Sequence, residues 1–263
     1  MPETVASADG TPIAFDRLGA GAPLIVIGGA TCDRAKLRPT AEALAATHAV
    51  LNYDRRGRGE SGDTLPYAVE REVEDLAALI LAAGGRASVY GHSSGAALGL
   101  HAAAHGLPID ALVMHEAPYT PDREPERSEA RAFGEQLRAL LADGRRGDAL
   151  ALFFTIAGMP PDAVAAARAE PWWPPVEALA DTLAYDSAVM GDVAHGGTVP
   201  TALLGRVRAR TLVLAGGASP DWMLATAEGL AQGLPDGELH VLAGEEHDVA
   251  PEVVAPVVAE FLR

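Results

Sequence analysis

Cysteine and lysine are almost missing from this chain. Cys32 is the single cysteine among 263 residues, so no internal disulfide can form and a reducing, cytoplasmic setting is expected. Lys36 is the sole lysine; arginine supplies the rest of the positive charge. Net positive charge is missing as well, because 20 basic residues face 36 acidic ones and leave −16. Phosphate backbones and anionic bilayer surfaces repel such a chain, so neither nucleic acid nor membrane is an expected partner. No apolar run approaches the ~20 residues that span a bilayer. The opening MPETVASADG has no basic segment followed by an apolar stretch, so no secretion signal is read there. Internal repeats are absent, and nothing in the sequence defines an oligomeric state. Apolar residues are plentiful, at 49%, which is enough for a large core.

Short apolar runs alternate with helical patterns. PLIVIGG (23–29), HAVLNYD (48–54), ASVYGH (87–92), ALVMHE (111–116), RTLVLAGG (210–217) and ELHVLAG (238–244) read as buried parallel strands. The N-terminal stretch reads as a hairpin turned at Asp9-Gly10. Val69, Val73, Leu76, Ala77 and Ile80 recur at helical spacing, and Gly84-Gly85 closes that helix. A last helix carries Pro251 near its start and Val253, Val254, Val257, Val258 and Phe261 on one face. The expected fold is α/β: a mostly parallel sheet of about eight strands flanked by helices. From about Tyr119 to about Arg208 no strand is read. That segment, 119–208, is expected to be an α-helical insertion between two strands, and residues 1–118 and 209–263 to be the core.

YGHSSGAAL (90–98) concentrates the chemistry. An apolar run enters Gly91-His92-Ser93-Ser94-Gly95, and a helix of small residues follows. Strand, G-x-S-x-G and helix in that order describe a nucleophile elbow. The sharp turn strains its corner residue, and glycines on both sides let backbone pack close. The spacing selects Ser93 as nucleophile and leaves Ser94 to offer its backbone N–H. Without that flanking context the motif is only a glycine-rich turn. Among the histidines, His101 and His105 lie four apart on a helix face with no carboxylate beside them. His48 and His240 fall at strands, and His195 in a glycine-flanked stretch.

Together with PLIVIGGA, YDRRGRGESG (53–62) and AGEEHDVAPEVVAPVVAEFL, this stretch resembles the α/β-hydrolase family over nearly the whole chain. The resemblance implies that 119–208 is a cap roofing the active site and that His247, after the last strand, is the general base. The family most often places its acid after the strand that follows the cap, where this chain has Ser219, with Asp221 two residues on. A family variant carries the acid before the cap, at the position of Glu116. Glu116 is favoured, because a carboxylate ending an apolar strand is unusual unless paired. Asp221, or no conventional acid, stays open; Asp248 is disfavoured because adjacent side chains diverge. The resemblance assigns the oxyanion-hole donors to Ser94 and Ala30, although Gly28-Gly29 replaces the family's common His-Gly. The Asp54-Arg55 loop is expected to brace its neighbours. Trp172 and Trp173 are expected either to wall an apolar substrate pocket or to anchor cap helices to the sheet.

The expected activity is serine hydrolysis of an ester, thioester or lactone of an uncharged or apolar small molecule, needing no metal or organic cofactor. The same triad suits cofactor-free perhydrolysis, carbon–carbon bond hydrolysis or ring-closing acyl transfer. A binding protein on the same scaffold is the remaining alternative.

Overall fold

In the computed structural model, which describes residues 2–191 and 197–263, the apolar runs assemble into one eight-stranded sheet. The strands are β1 (Glu3–Ala6), β2 (Pro12–Leu18), β3 (Ala22–Ile27), β4 (His48–Tyr53), β5 (Ala87–His92), β6 (Ile109–His115), β7 (Arg210–Gly216) and β8 (Gly237–Leu242). Their spatial order is β1-β2-β4-β3-β5-β6-β7-β8. The β1–β2 and β2–β4 pairs are antiparallel and all others parallel. The N-terminal hairpin turns where the sequence places it: Gly10 takes φ 85°, and Ser7 N–H donates to the Thr11 carbonyl at 2.9 Å.

The core helices are α1 (Arg34–Leu44), α2 (Val69–Ala82) and α3 (Ser94–Ala104). Between β6 and β7 come α4 (Glu126–Ala142), α5 (Arg146–Ile156), α6 (Pro161–Ala167), α7 (Trp173–Glu177), α8 (Leu183–Val189) and α9 (Thr201–Leu204). The core then resumes with α10 (Asp221–Gly233) and α11 (Pro251–Phe261). Alternate residues of each central strand serve opposite faces. Leu24, Val26, Val50, Val113 and Leu214 pack with Leu37 and Leu44 of α1 and with Val254 and Val258 of α11. Ile25, Ile27, Leu51, Val89 and Leu112 pack with Leu76 and Leu79 of α2, Leu98 of α3 and Leu230 of α10. Both faces are therefore covered, which explains why the strands are apolar without alternation.

Among the described residues, the segment between β6 and β7 holds no strand, only an isolated bridge between Thr120 and Thr198. It has its own apolar clusters. In one of them, Leu137, Leu140, Ala149, Ala180 and Leu183 pack against Ala30, from the loop after β3. The helical insertion thus meets the core at the C-terminal edge of the sheet. Within PWWPP, α7 starts at Trp173 with prolines in its first turn, where a missing N–H leaves no bond unmade. No helix among the described residues is long and apolar enough to cross a membrane.

Helix α3 lies unusually close to the strands. A Cβ on Gly95 would sit 2.4 Å from the Ile27 carbonyl oxygen, and one on Gly91 would sit 2.4 Å from that of Gly95. Gly95→Ala should therefore push α3 off the sheet and cost about 1–3 kcal/mol through overpacking. In a domain of this size that corresponds to a fall of several degrees in Tm, readable by calorimetry.

Candidate active site

Among the described residues, three that are not glycine take positive φ: Thr31 at 58°, Ser93 at 57° and Glu116 at 54°. They follow β3, β5 and β6, three strands adjacent in the sheet. Residues outside the ordinary wells cost on the order of 1–3 kcal/mol each and persist where their surroundings over-determine them. Their clustering at one sheet edge marks that edge as the candidate site.

Ser93 is the corner between β5 and α3. Its N–H donates to the His115 carbonyl at 2.8 Å, which ties the corner to the neighbouring strand. A serine in this N-cap position usually caps the helix through its hydroxyl. Ser93 makes no such side-chain bond, so Oγ is not committed to the helix. Gly29 packs directly against it, since a Cβ there would lie 2.8 Å from the Ser93 Cβ. Gly29 is thus required by the elbow's approach.

His247 sits in the loop between β8 and α11, its side chain 40% exposed. Its Nδ1 lies 3.1 Å from Oε2 of Glu116, whose side chain is 1% exposed. An ionised carboxylate only accepts, so Nδ1 carries the proton and Nε2 is left as the basic nitrogen. Glu116 accepts two further bonds, from Gly216 N–H at 2.7 Å and from Ser219 Oγ at 3.0 Å. Burial opposes ionisation of Glu116, but the bonds from His247, Gly216 and Ser219 outweigh it and hold the carboxyl below its usual range. His92, the neighbour of Ser93, brings His247 to the elbow. Its Nε2–H donates to the His247 carbonyl at 3.0 Å, and the two rings lie 4.8 Å apart. Burial, then the adjacent His247, push the His92 pKa down to about 4, so it stays neutral at ordinary pH.

The other residues singled out in the sequence fall into place around this group. Asp221 opens α10 and is exposed. Ser219, which occupies the place where an acid is common, instead donates to Glu116. Asp54 accepts from the backbone N–H groups of Arg34 and Glu60 and so braces two loops. His101 donates to the Val189 carbonyl of α8 at 3.0 Å and does not pair with His105 as a metal ligand. His195 lies outside the described residues. Trp173 is 3% exposed and packs with Leu150, Val164 and Ala167, while Trp172, 41% exposed, contacts Phe154. Both tryptophans take part in packing among the insertion's own helices, with Phe154 and with each other. A residue the sequence did not expose is Asp186 of α8, whose Oδ1 accepts from Ser94 Oγ and from Arg55, each at 2.7 Å. No local pattern points to it, because its partners are distant in the chain.

This sheet order and site arrangement define an α/β hydrolase. The model of the alpha/beta hydrolase family matches residues 19–260, and the chain belongs to that family. An alpha/beta hydrolase from Sphaerobacter thermophilus is similar at 51% identity, with TM-score 0.88 over 99% of this chain and 100% of that one. A hydrolase from Pseudomonas aeruginosa shares 26% identity, with TM-score 0.77 over 99% of this chain and 98% of that one. The provisionally named carbamate hydrolase RutD of Azorhizobium caulinodans is 39% identical over 87 residues, which cover 32% of this chain and 33% of that protein. The chain therefore matches about a third of the length of this relative.

If Glu116 holds the His247 tautomer, Glu116→Gln should lower turnover on an activated ester by up to about 10⁴-fold. Its thermal midpoint should change little. Asp221→Asn, on an exposed helix start, should retain most of the rate. The reverse pattern in a steady-state assay of both variants would place the acid after the insertion.

Proposed function

We propose that this chain is a serine hydrolase that cleaves an ester, thioester or lactone of an uncharged or apolar small molecule through an acyl-enzyme. The observation that carries this reading is the buried Glu116 carboxylate bonded to Nδ1 of His247, beside the strained Ser93 corner. In this mechanism Ser93 Oγ attacks the carbonyl carbon while His247 Nε2 takes its proton. Glu116 stabilises the imidazolium that results. The oxygen of the tetrahedral intermediate accepts from the N–H groups of Ala30 and Ser94. Collapse expels the leaving group, which takes the proton from His247. Water then attacks the acyl-enzyme, with His247 as base, and restores Ser93.

We assign residues 119–208 the role of cap. Leu137 and Leu140 of this segment belong to an apolar cluster against which Ala30, Phe133 and Phe153 pack, and this hydrocarbon next to the loop after β3 favours an uncharged acyl or alcohol group. The partial match to RutD makes a carbamate a sensible member of a test panel. In such a panel of aryl esters, thioesters, lactones and a carbamate, Ser93→Ala should abolish turnover on every substrate the wild type accepts. Ser94→Ala should retain a measurable rate, because its backbone N–H survives. A dead Ser94→Ala enzyme beside an active Ser93→Ala enzyme would overturn the assignment.

A further inference from the structure

The loop after β3 is gripped from below by an arginine that the proposed chemistry does not use. Arg58 is fully buried. Its Nη1 donates to the carbonyls of Gly29 and Cys32, which bracket Ala30 and the strained Thr31. Its Nη2 makes two 2.8 Å bonds to the carboxylate of Asp186. Asp186 also accepts from Arg55 and from Ser94 Oγ. Arg55 is itself locked to Glu72 by two 2.7 Å bonds and reaches the Gly28 carbonyl at 3.4 Å. Burial pushes the Asp186 carboxyl up, but Arg58 and Arg55 outweigh burial and hold it below the usual range. The network is therefore ionic at neutral pH.

One peptide unit inside this grip matters most. The Gly29 carbonyl and the Ala30 N–H belong to the same planar trans amide and point in opposite directions. Holding the carbonyl toward Arg58 turns the N–H away from Arg58. Thr31 adds a second constraint, because a β-branched residue at positive φ relaxes unless it is held. Among the described residues, neither the Ala30 nor the Ser94 N–H has a protein acceptor. Asp186 comes from α8, within the insertion, so both sides of the hole are linked to that segment: Ala30 through Arg58, and Ser94 through its hydroxyl.

We propose that Arg58 and Asp186 are positioning residues that set the Gly29–Ala30 amide with its N–H toward the reacting oxygen, so that seating of α8 is what makes the oxyanion hole competent. This rests on Ser93 as nucleophile and on Ala30 as an oxyanion donor. The pair touches no substrate. Its effect is confined to the transition state, because only there does the oxygen carry the charge that the Ala30 N–H stabilises.

Arg58→Lys is the informative variant. Lysine keeps the charge beside Asp186 but lacks the planar fork that reaches Asp186 and the Gly29 carbonyl together. The expected result is a fall in kcat of about 10²–10³-fold on a p-nitrophenyl ester, the usual cost of an oxyanion donor, with KM within about threefold of wild type. Affinity for a trifluoromethyl ketone, which forms a tetrahedral adduct, should fall in parallel with kcat/KM. A folded variant with kcat within about threefold of wild type, or with unchanged ketone affinity despite a lower kcat, overturns the proposal. Should the variant not fold, the wild-type ketone adduct decides. Its oxyanion should lie about 2.7–3.1 Å from the Ala30 and Ser94 nitrogens, with Arg58 still on the Gly29 carbonyl; a carbonyl turned toward the adduct overturns it. Ser93→Ala separates the two levels. If Ser93→Ala keeps its turnover, the mechanism and the positioning claim fail together. If it is inactive while Arg58→Lys works normally, the positioning claim alone fails.

Discussion

The contact on which the rest depends is the approach of α3 to the strands at Gly91 and Gly95, too tight to admit a Cβ at either position. Backbone at this spacing leaves no room for a gradual exit from β5. The chain turns within one residue, and that residue, Ser93, takes φ 57° and ψ −127°. The strain is offset by the burial around it, since α3 is buried along nearly its whole length. A hydroxyl held in this way stands at the helix N-terminus, where the dipole favours negative charge. The same tightness demands Gly29 opposite, because a side chain there would meet Ser93. The elbow and the loop after β3 are thus shaped by one packing constraint.

Around this apolar constraint the protein places an unusual amount of buried charge. Arg55, Arg56 and Arg58 are each 1% exposed or less, and their partners Glu72, Asp75 and Asp186 are buried with them. Ion pairs of this kind are weak evidence for stability, because desolvation consumes much of the attraction. Their geometry is the more useful property. A guanidinium fork fixes angles as well as distances, and here the forks of Arg55 and Arg58 end on carbonyls of the loop after β3. Rigid aromatic contact reinforces the same junction: Tyr67 stacks on Tyr185 of α8 with ring centroids 3.8 Å apart. The insertion is therefore fastened to the core at α8, while its clusters around Leu137 and Trp173 pack largely among themselves.

The parts of this arrangement that are local in sequence could be read from sequence. The strands announce themselves as apolar runs, and β5 is found at its actual bounds, 87–92. The elbow is readable because glycines and a small-residue helix surround one serine. Glu116 is readable because a carboxylate at the end of an apolar strand needs a partner, and His247 Nδ1 is that partner in space. The parts that depend on contacts across the fold were not readable. Ser219 looks like a vacancy in the chain, yet its hydroxyl completes the bonding of Glu116. Asp186 sits in an ordinary helix and meets Arg55 across 131 positions of sequence. Trp172 and Trp173 leave two roles open in the chain, pocket wall or anchor, because nothing in a helical sequence says which face turns inward; in space Trp173 packs within the insertion and Trp172 lies against it.

The central claim is that Ser93, and no other hydroxyl, is the group that becomes acylated. Intact-mass measurement of the wild-type protein after reaction with a fluorophosphonate, followed by peptide mapping, tests it most directly. The account predicts a single adduct per chain, located at Ser93 in the GHSSG segment. An adduct at Ser94, or ester turnover by folded protein that never takes up the probe, would contradict it.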